Sequence, residues 1–211
     1  MRRILVVTAL IALVAPTLVL AQGAAAPKVE PFKLATIDVD GEPLIGIVLQ
    51  DKLIVELNAA NRVLERNLAY PHIPMPADMR ELVGRYEYGL KARLYEIVND
   101  ITSSGRLSGA SRPSYVHDVG KVDLLAPLMP SKMLNAAVNF YSHVGETGSA
   151  EEQKKAAAER KAKRGVPYMF WKPTTGAIVG DGEPIVIPYG RDRVDWEVEL
   201  GIVMGRAAKY V

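Results

Sequence analysis

The sequence predicts an α+β fold: a small N-terminal α/β-meander domain followed by the start of a second, β-rich domain. Three observations carry this. Leu34–Val39, Leu44–Leu49 and Leu53–Leu57 are short apolar runs separated by Asp40-Gly41-Glu42-Pro43 and Gln50-Asp51-Lys52, the residue types of tight turns. Leu82, Tyr86, Leu90, Leu94, Ile97 and Ile101 recur at helical spacing. Beyond Pro127 and Pro130, strand-like runs resume, so the prolines mark a boundary between two units.

Composition is compatible with packed cores. The 211 residues are 49% hydrophobic and 24% charged, and 26 basic against 24 acidic residues leave a net charge of +2. Such a balance, mixed along the chain, produces no large field toward nucleic acid or an anionic membrane. Cysteine is absent, which excludes disulfides, thiolate metal sites and a cysteine nucleophile. A metal would have to sit on oxygen or imidazole.

Arg2 and Arg3, the apolar run Ile4–Val14, the helix-breaking Pro16 and the small residues around Ala21 have the order of a secretory signal. Cleavage after Ala21 is expected, giving a periplasmic or secreted protein with no stable membrane span. The alternative is a retained anchor, since 4–21 approaches the length needed to cross a bilayer. A small-residue linker follows over 22–31, and an N-terminal domain over 32–130.

Within that domain Asn58–Tyr70 is a short helix candidate and Pro71–Pro76 a break. Asp78 with Glu81 resembles a capping box opening the long helix of the apolar series. Ser103–Asp118 reads as a loop and Val122–Leu125 as a strand. In the second unit, 131–211, Met133–Val138 is a strand and His143 lies at a turn or helix start. Ala150–Arg164 is a charged helix with six basic and three acidic residues. It reads as a solvated helix, with a lid or a basic binding patch as functional alternatives. Tyr168–Trp171, Ile178-Val179, Ile185–Ile187 and Trp196–Met204 complete the β-rich stretch.

Two spacings could carry chemistry. Val194-Asp195-Trp196-Glu197-Val198-Glu199-Leu200 alternates acidic and apolar residues, so in a strand Glu197 and Glu199 would project from one face. That is either the wet face of an amphipathic strand or a pair of hard oxygen donors for magnesium, manganese or calcium. Two carboxylates are too few for a full ligand set. His143 and Glu146, three apart, would share one side of a helical turn, where a carboxylate accepting one ring N–H leaves the other nitrogen free to take a proton. A surface histidine with a chance acidic neighbour is the plain alternative. His72 and His117 read as loop residues without a role.

The two spacings occur together in a known order. Asn139-Phe140-Tyr141-Ser142-His143-Val144-Gly145-Glu146 resembles the N-Y-x-x-H-x-x-E segment of the fumarylacetoacetate hydrolase family, and FWKPTTGAIVGDGEPIVIP with VDWEVELGIVMGR resembles its lysine-proline and acidic-strand block. The resemblance runs from about Met133 to Val211, and is looser over the N-terminal domain, where VELNAA matches best. It implies that 131–211 is the first part of a mixed β-roll domain, with Glu197 and Glu199 as ligands of a divalent metal and His143 with Glu146 as a water-activating dyad. It further implies cleavage of a C–C bond in acylpyruvates or related 2,4-dioxo acids, and a homodimer when full length. Decarboxylases, isomerases and hydratases in the family share the same platform. The family's glycine before the asparagine is replaced by Ala137-Val138, and the remaining metal ligand is expected in an N-D-x-S-x-R-D-like segment beyond Val211. An incomplete enzyme, inactive alone, is therefore expected; a non-catalytic exported binding module is the alternative from a different class.

Overall fold

The computed structural model describes residues 30–140, 143, 147–163 and 165–210. The expected signal at 1–21 and most of the linker lie outside them. Strands β1 (Phe32–Val39), β2 (Glu42–Leu49) and β3 (Leu53–Glu56) form the antiparallel meander that the turn clusters predict. Asp40 and Gly41 both take positive φ, 55° and 86°, the primed-turn geometry that matches strand twist. The Asp38 carboxylate accepts the Gly41 N–H at 2.7 Å and pins the turn.

Helix α1 (Leu57–Leu64) follows β3 directly, then α2 (Met79–Arg85), a 3₁₀ turn at Tyr86–Tyr88 and α3 (Leu90–Ser103). Strand β4 (Val116–Asp118) pairs with β3, and β5 (Asp123–Leu125) returns to β1, giving the antiparallel order β4-β3-β2-β1-β5. Alternate residues Ile45, Ile47 and Leu49 of β2 and Val55 of β3 point to one face, where α1 and α3 bring Leu57, Leu64, Leu94, Ile97 and Ile101 into a single core. On the other face Ile37 and Ile54 are also fully buried, and Gly46 between them leaves no room for a methyl group against Ile54.

Three expectations are corrected. The helical series from Asp78 to Ile101 is not one helix: Gly89, at φ 111°, breaks it, although the apolar spacing survives because both pieces face the same sheet. The capping chemistry does hold, with Asp78 Oδ1 accepting the Glu81 N–H at 2.8 Å. Helix α1 stops at Leu64 rather than Tyr70, because the carboxylate of Glu65 turns to the 72–73 backbone and ring instead of solvent.

The second unit begins with a two-stranded antiparallel sheet, β6 (Met133–Ala136) with β7 (Met169–Lys172). Between them lies α4 (Ala150–Ala162), opened by a full capping box between Ser149 and Glu152 and burying no residue, as its charge pattern predicts. The third correction concerns 178–204, where the predicted strands are not formed. A strand exists only in a ladder. Among the described residues no edge pairs with 194–204, and Val194, Trp196, Val198 and Leu200 stay exposed.

Candidate functional site

Strand β6 runs toward His143 and meets one of the two glutamates, Glu199. At its end Ala137 N–H donates to Tyr168 O at 2.9 Å, extending the pairing with β7 by one bond. Val138 then takes φ 48°, the left-handed region, and reverses the chain toward Asn139 and Phe140. His143 lies in a short 3₁₀ turn, its N–H donating to Phe140 O at 3.1 Å, and it is exposed. Glu146 lies outside the described residues.

Glu197 and Glu199 are both exposed. Asn135 of β6 donates from Nδ2 to Glu199 Oε2 at 3.3 Å, which ties the acidic segment to the strand leading to His143. Sequence reasoning did not single out Asn135; its signal was an amide inside the otherwise apolar strand Met133–Ala136. Asp195 is engaged locally, its Oδ1 accepting the Trp196 N–H at 2.8 Å. The structure therefore ties the Glu199 side chain to β6, the strand that precedes His143. It does not form the acidic strand itself.

The donor chemistry suits a hard divalent cation in kind, since Glu197 and Glu199 offer carboxylate oxygens. It falls short in number: among the described residues no cluster of three or more acidic, histidine or cysteine side chains could hold a metal ion.

The two other histidines are structural. His117 Nε2 lies 2.8 Å from Glu56 Oε1, both half-buried, joining β4 to the start of α1. His72 Nδ1 lies 2.9 Å from Glu65 Oε2. Glu65 Oε1 also accepts the Ile73 N–H at 2.7 Å and Asn61 Nδ2 at 2.9 Å. The Ile73 amide and then the His72 ring hold the Glu65 carboxyl well below its ordinary value, at about 2.

The sequence pattern described as fumarylacetoacetate (FAA) hydrolase, C-terminal, matches residues 132–211, the stretch that holds β6, the His143 turn, α4, β7 and the acidic segment. Through that stretch the chain matches the fumarylacetoacetate hydrolase family. Curated relatives are similar to part of the chain. An uncharacterized protein of Pyrococcus horikoshii is 35% identical over 82 residues, 39% of this chain and 30% of the relative. A Mycobacterium tuberculosis protein is 38% identical over 90 residues, 43% of this chain and 29% of its own length. A mitochondrial oxaloacetate tautomerase of Xenopus laevis is 27% identical over 171 residues, 80% of this chain and 42% of that protein. The chain thus spans about a third of the length of the first two relatives, and its similarity to the third extends into the meander unit.

Proposed function

We propose that this chain supplies the proton-transfer and carboxylate groups of an enzyme acting on a 2-oxo acid whose neighbouring carbon is acidic. The observation that carries the reading is the Asn135–Glu199 hydrogen bond, which joins the strand leading to His143 with one of the two glutamates. His143 would take a proton from the carbon beside the keto group, or from water, since an imidazole can do so near neutral pH. Glu146 would orient the ring by accepting its second N–H. Glu197 and Glu199 would hold a divalent cation, whose charge would stabilise the negative charge that develops on the substrate's oxygens.

Two reactions follow from the same proton movement. Moving the proton between carbon and oxygen gives keto–enol tautomerisation, favoured by the oxaloacetate tautomerase of Xenopus laevis, whose similarity covers 80% of this chain. Using His143 to activate water gives C–C cleavage of an acylpyruvate, favoured by the water-activating dyad that the family resemblance implies.

The test is to follow oxaloacetate enol decay and acetylpyruvate cleavage with and without magnesium, for the wild type and for Glu197→Gln and His143→Asn. A magnesium-dependent rate lost in both variants supports the reading, and the substrate that reacts selects between the two reactions. A rate insensitive to magnesium and to Glu197→Gln overturns both. With two glutamates as the donor set, metal binding by this chain alone is expected to be weak and turnover inefficient. If instead it is a binding module, Glu197→Gln leaves ligand affinity intact.

A further inference from the structure

The N-terminal unit holds a feature that no residue of the acidic segment lines and that is independent of the reaction proposed above. A cleft of about 540 Å³ opens beside α1, lined by Ala59, Arg62, Val63, Glu65, Arg66 and Tyr115. Its apolar part is made of Ala59, Val63 and the Tyr115 ring, all partly buried, while Arg62 and Arg66 are exposed.

The charges make this cleft unusual. Four arginines of the same unit are ion-paired: Arg85 with Glu81 at 2.9 Å, Arg93 with Glu96 at 3.1 Å, Arg106 with Asp100 at 3.2 Å and Arg112 with Asp118 at 3.0 Å. Arg62 and Arg66 have no ion-pair partner among the described residues, and neither does Arg80, which does not line the cleft. Glu65, the acid that lines the cleft, keeps its negative charge but forms no ion pair with either arginine. Both Glu65 oxygens already accept hydrogen bonds, from Asn61, Ile73 and His72, as described above. Two guanidinium groups four residues apart therefore face a partly apolar recess with their forks unfilled. A guanidinium fork matches a carboxylate with two parallel hydrogen bonds.

We propose that this cleft binds a small organic dicarboxylate, one carboxylate to each of Arg62 and Arg66, with its carbon chain on Val63 and Tyr115. A monocarboxylate would leave one arginine unfilled, and inorganic phosphate would make no use of the apolar wall.

Calorimetric titration of the full chain with succinate tests this, in chelator so that no divalent metal contributes, with acetate and phosphate as comparisons. The expected result is saturable succinate binding with Kd below about 1 mM, at least tenfold tighter than acetate, weakened at least tenfold by Arg62→Gln or Arg66→Gln, and unchanged by Glu197→Gln. The two arginine variants alter exposed side chains, and an unchanged circular dichroism spectrum verifies that they fold. Acetate or phosphate binding as tightly as succinate overturns the dicarboxylate assignment. Absence of saturation, or affinity indifferent to both arginine substitutions, overturns the site. Loss of affinity in Glu197→Gln instead places the ligand at the acidic segment and also overturns it. Because no metal is present, failure here leaves the enzymatic reading standing, and success does not depend on it.

Discussion

Val138 is a β-branched residue in a conformation that costs such residues roughly 1–2 kcal/mol, because Cβ crowds the following carbonyl. It sits where the family resemblance expects a glycine, between β6 and the His143 turn. Asparagine tolerates the left-handed region, so Val138→Asn is expected to stabilise the chain by about 1 kcal/mol, measured by urea denaturation. Destabilisation would mean that the valine side chain packs usefully despite being half exposed. Glu65 contributes at a different place. Its folded value of about 2 lies below the ordinary 4.5, so its stabilisation is fully present above about pH 4.5 and is lost as pH falls toward 2. Glu65→Ala should therefore cost about 2 kcal/mol at pH 7, with the gap from wild type closing on acidification. An equal gap at pH 7 and pH 2 would assign the cost to packing alone.

At the scale of elements, the legible parts were those fixed by local chemistry. The two turns, the Asp78 cap and the Ser149–Glu152 capping box follow from residues within four positions of one another. The break at Gly89 was not legible, because Tyr86, Leu90 and Leu94 keep helical spacing on either side of it. Only the left-handed φ of 111° reveals it. Nothing lies within 4 Å of a methyl group built there, so Gly89→Ala would meet no clash. Its expected cost of about 1 kcal/mol or more is purely conformational. A neutral or stabilising result in thermal denaturation would show that α2 and α3 can merge. The acidic segment failed for the opposite reason. Alternation in 194–200 encodes a face but not a partner, and hydrogen-bond pairing is the part of a strand that no local pattern contains. Of the candidate site, the sequence suggested candidate residues, whose roles are untested, while the tether from Asn135 to Glu199 needed the fold.

Across the whole molecule the two units differ in how they meet water. The N-terminal core buries its apolar side chains almost completely, with Ile37, Ile54, Leu94 and Val98 at 0% exposure. In the second unit Trp171 and Trp196 are 65% and 80% exposed, alongside Val186, Val198 and Ile202. Apolar exposure on this scale favours association. Both tryptophans should be fully quenched by acrylamide in dilute solution and become protected as concentration rises. Protection already present at the lowest concentration would show that the face is covered.

Chain connectivity adds a consequence for the order in which the fold can arise. The meander joins neighbours: Val39 meets Glu42 and Leu49 meets Leu53, so each hairpin can close within a short stretch of newly made chain. The outer strand on the other side is different, since Thr36 pairs with Leu125 and its hydroxyl donates to Pro127 O at 2.7 Å, a separation of 91 residues. During synthesis, one edge of β1 must therefore wait, unpaired, until some ninety later residues have been added.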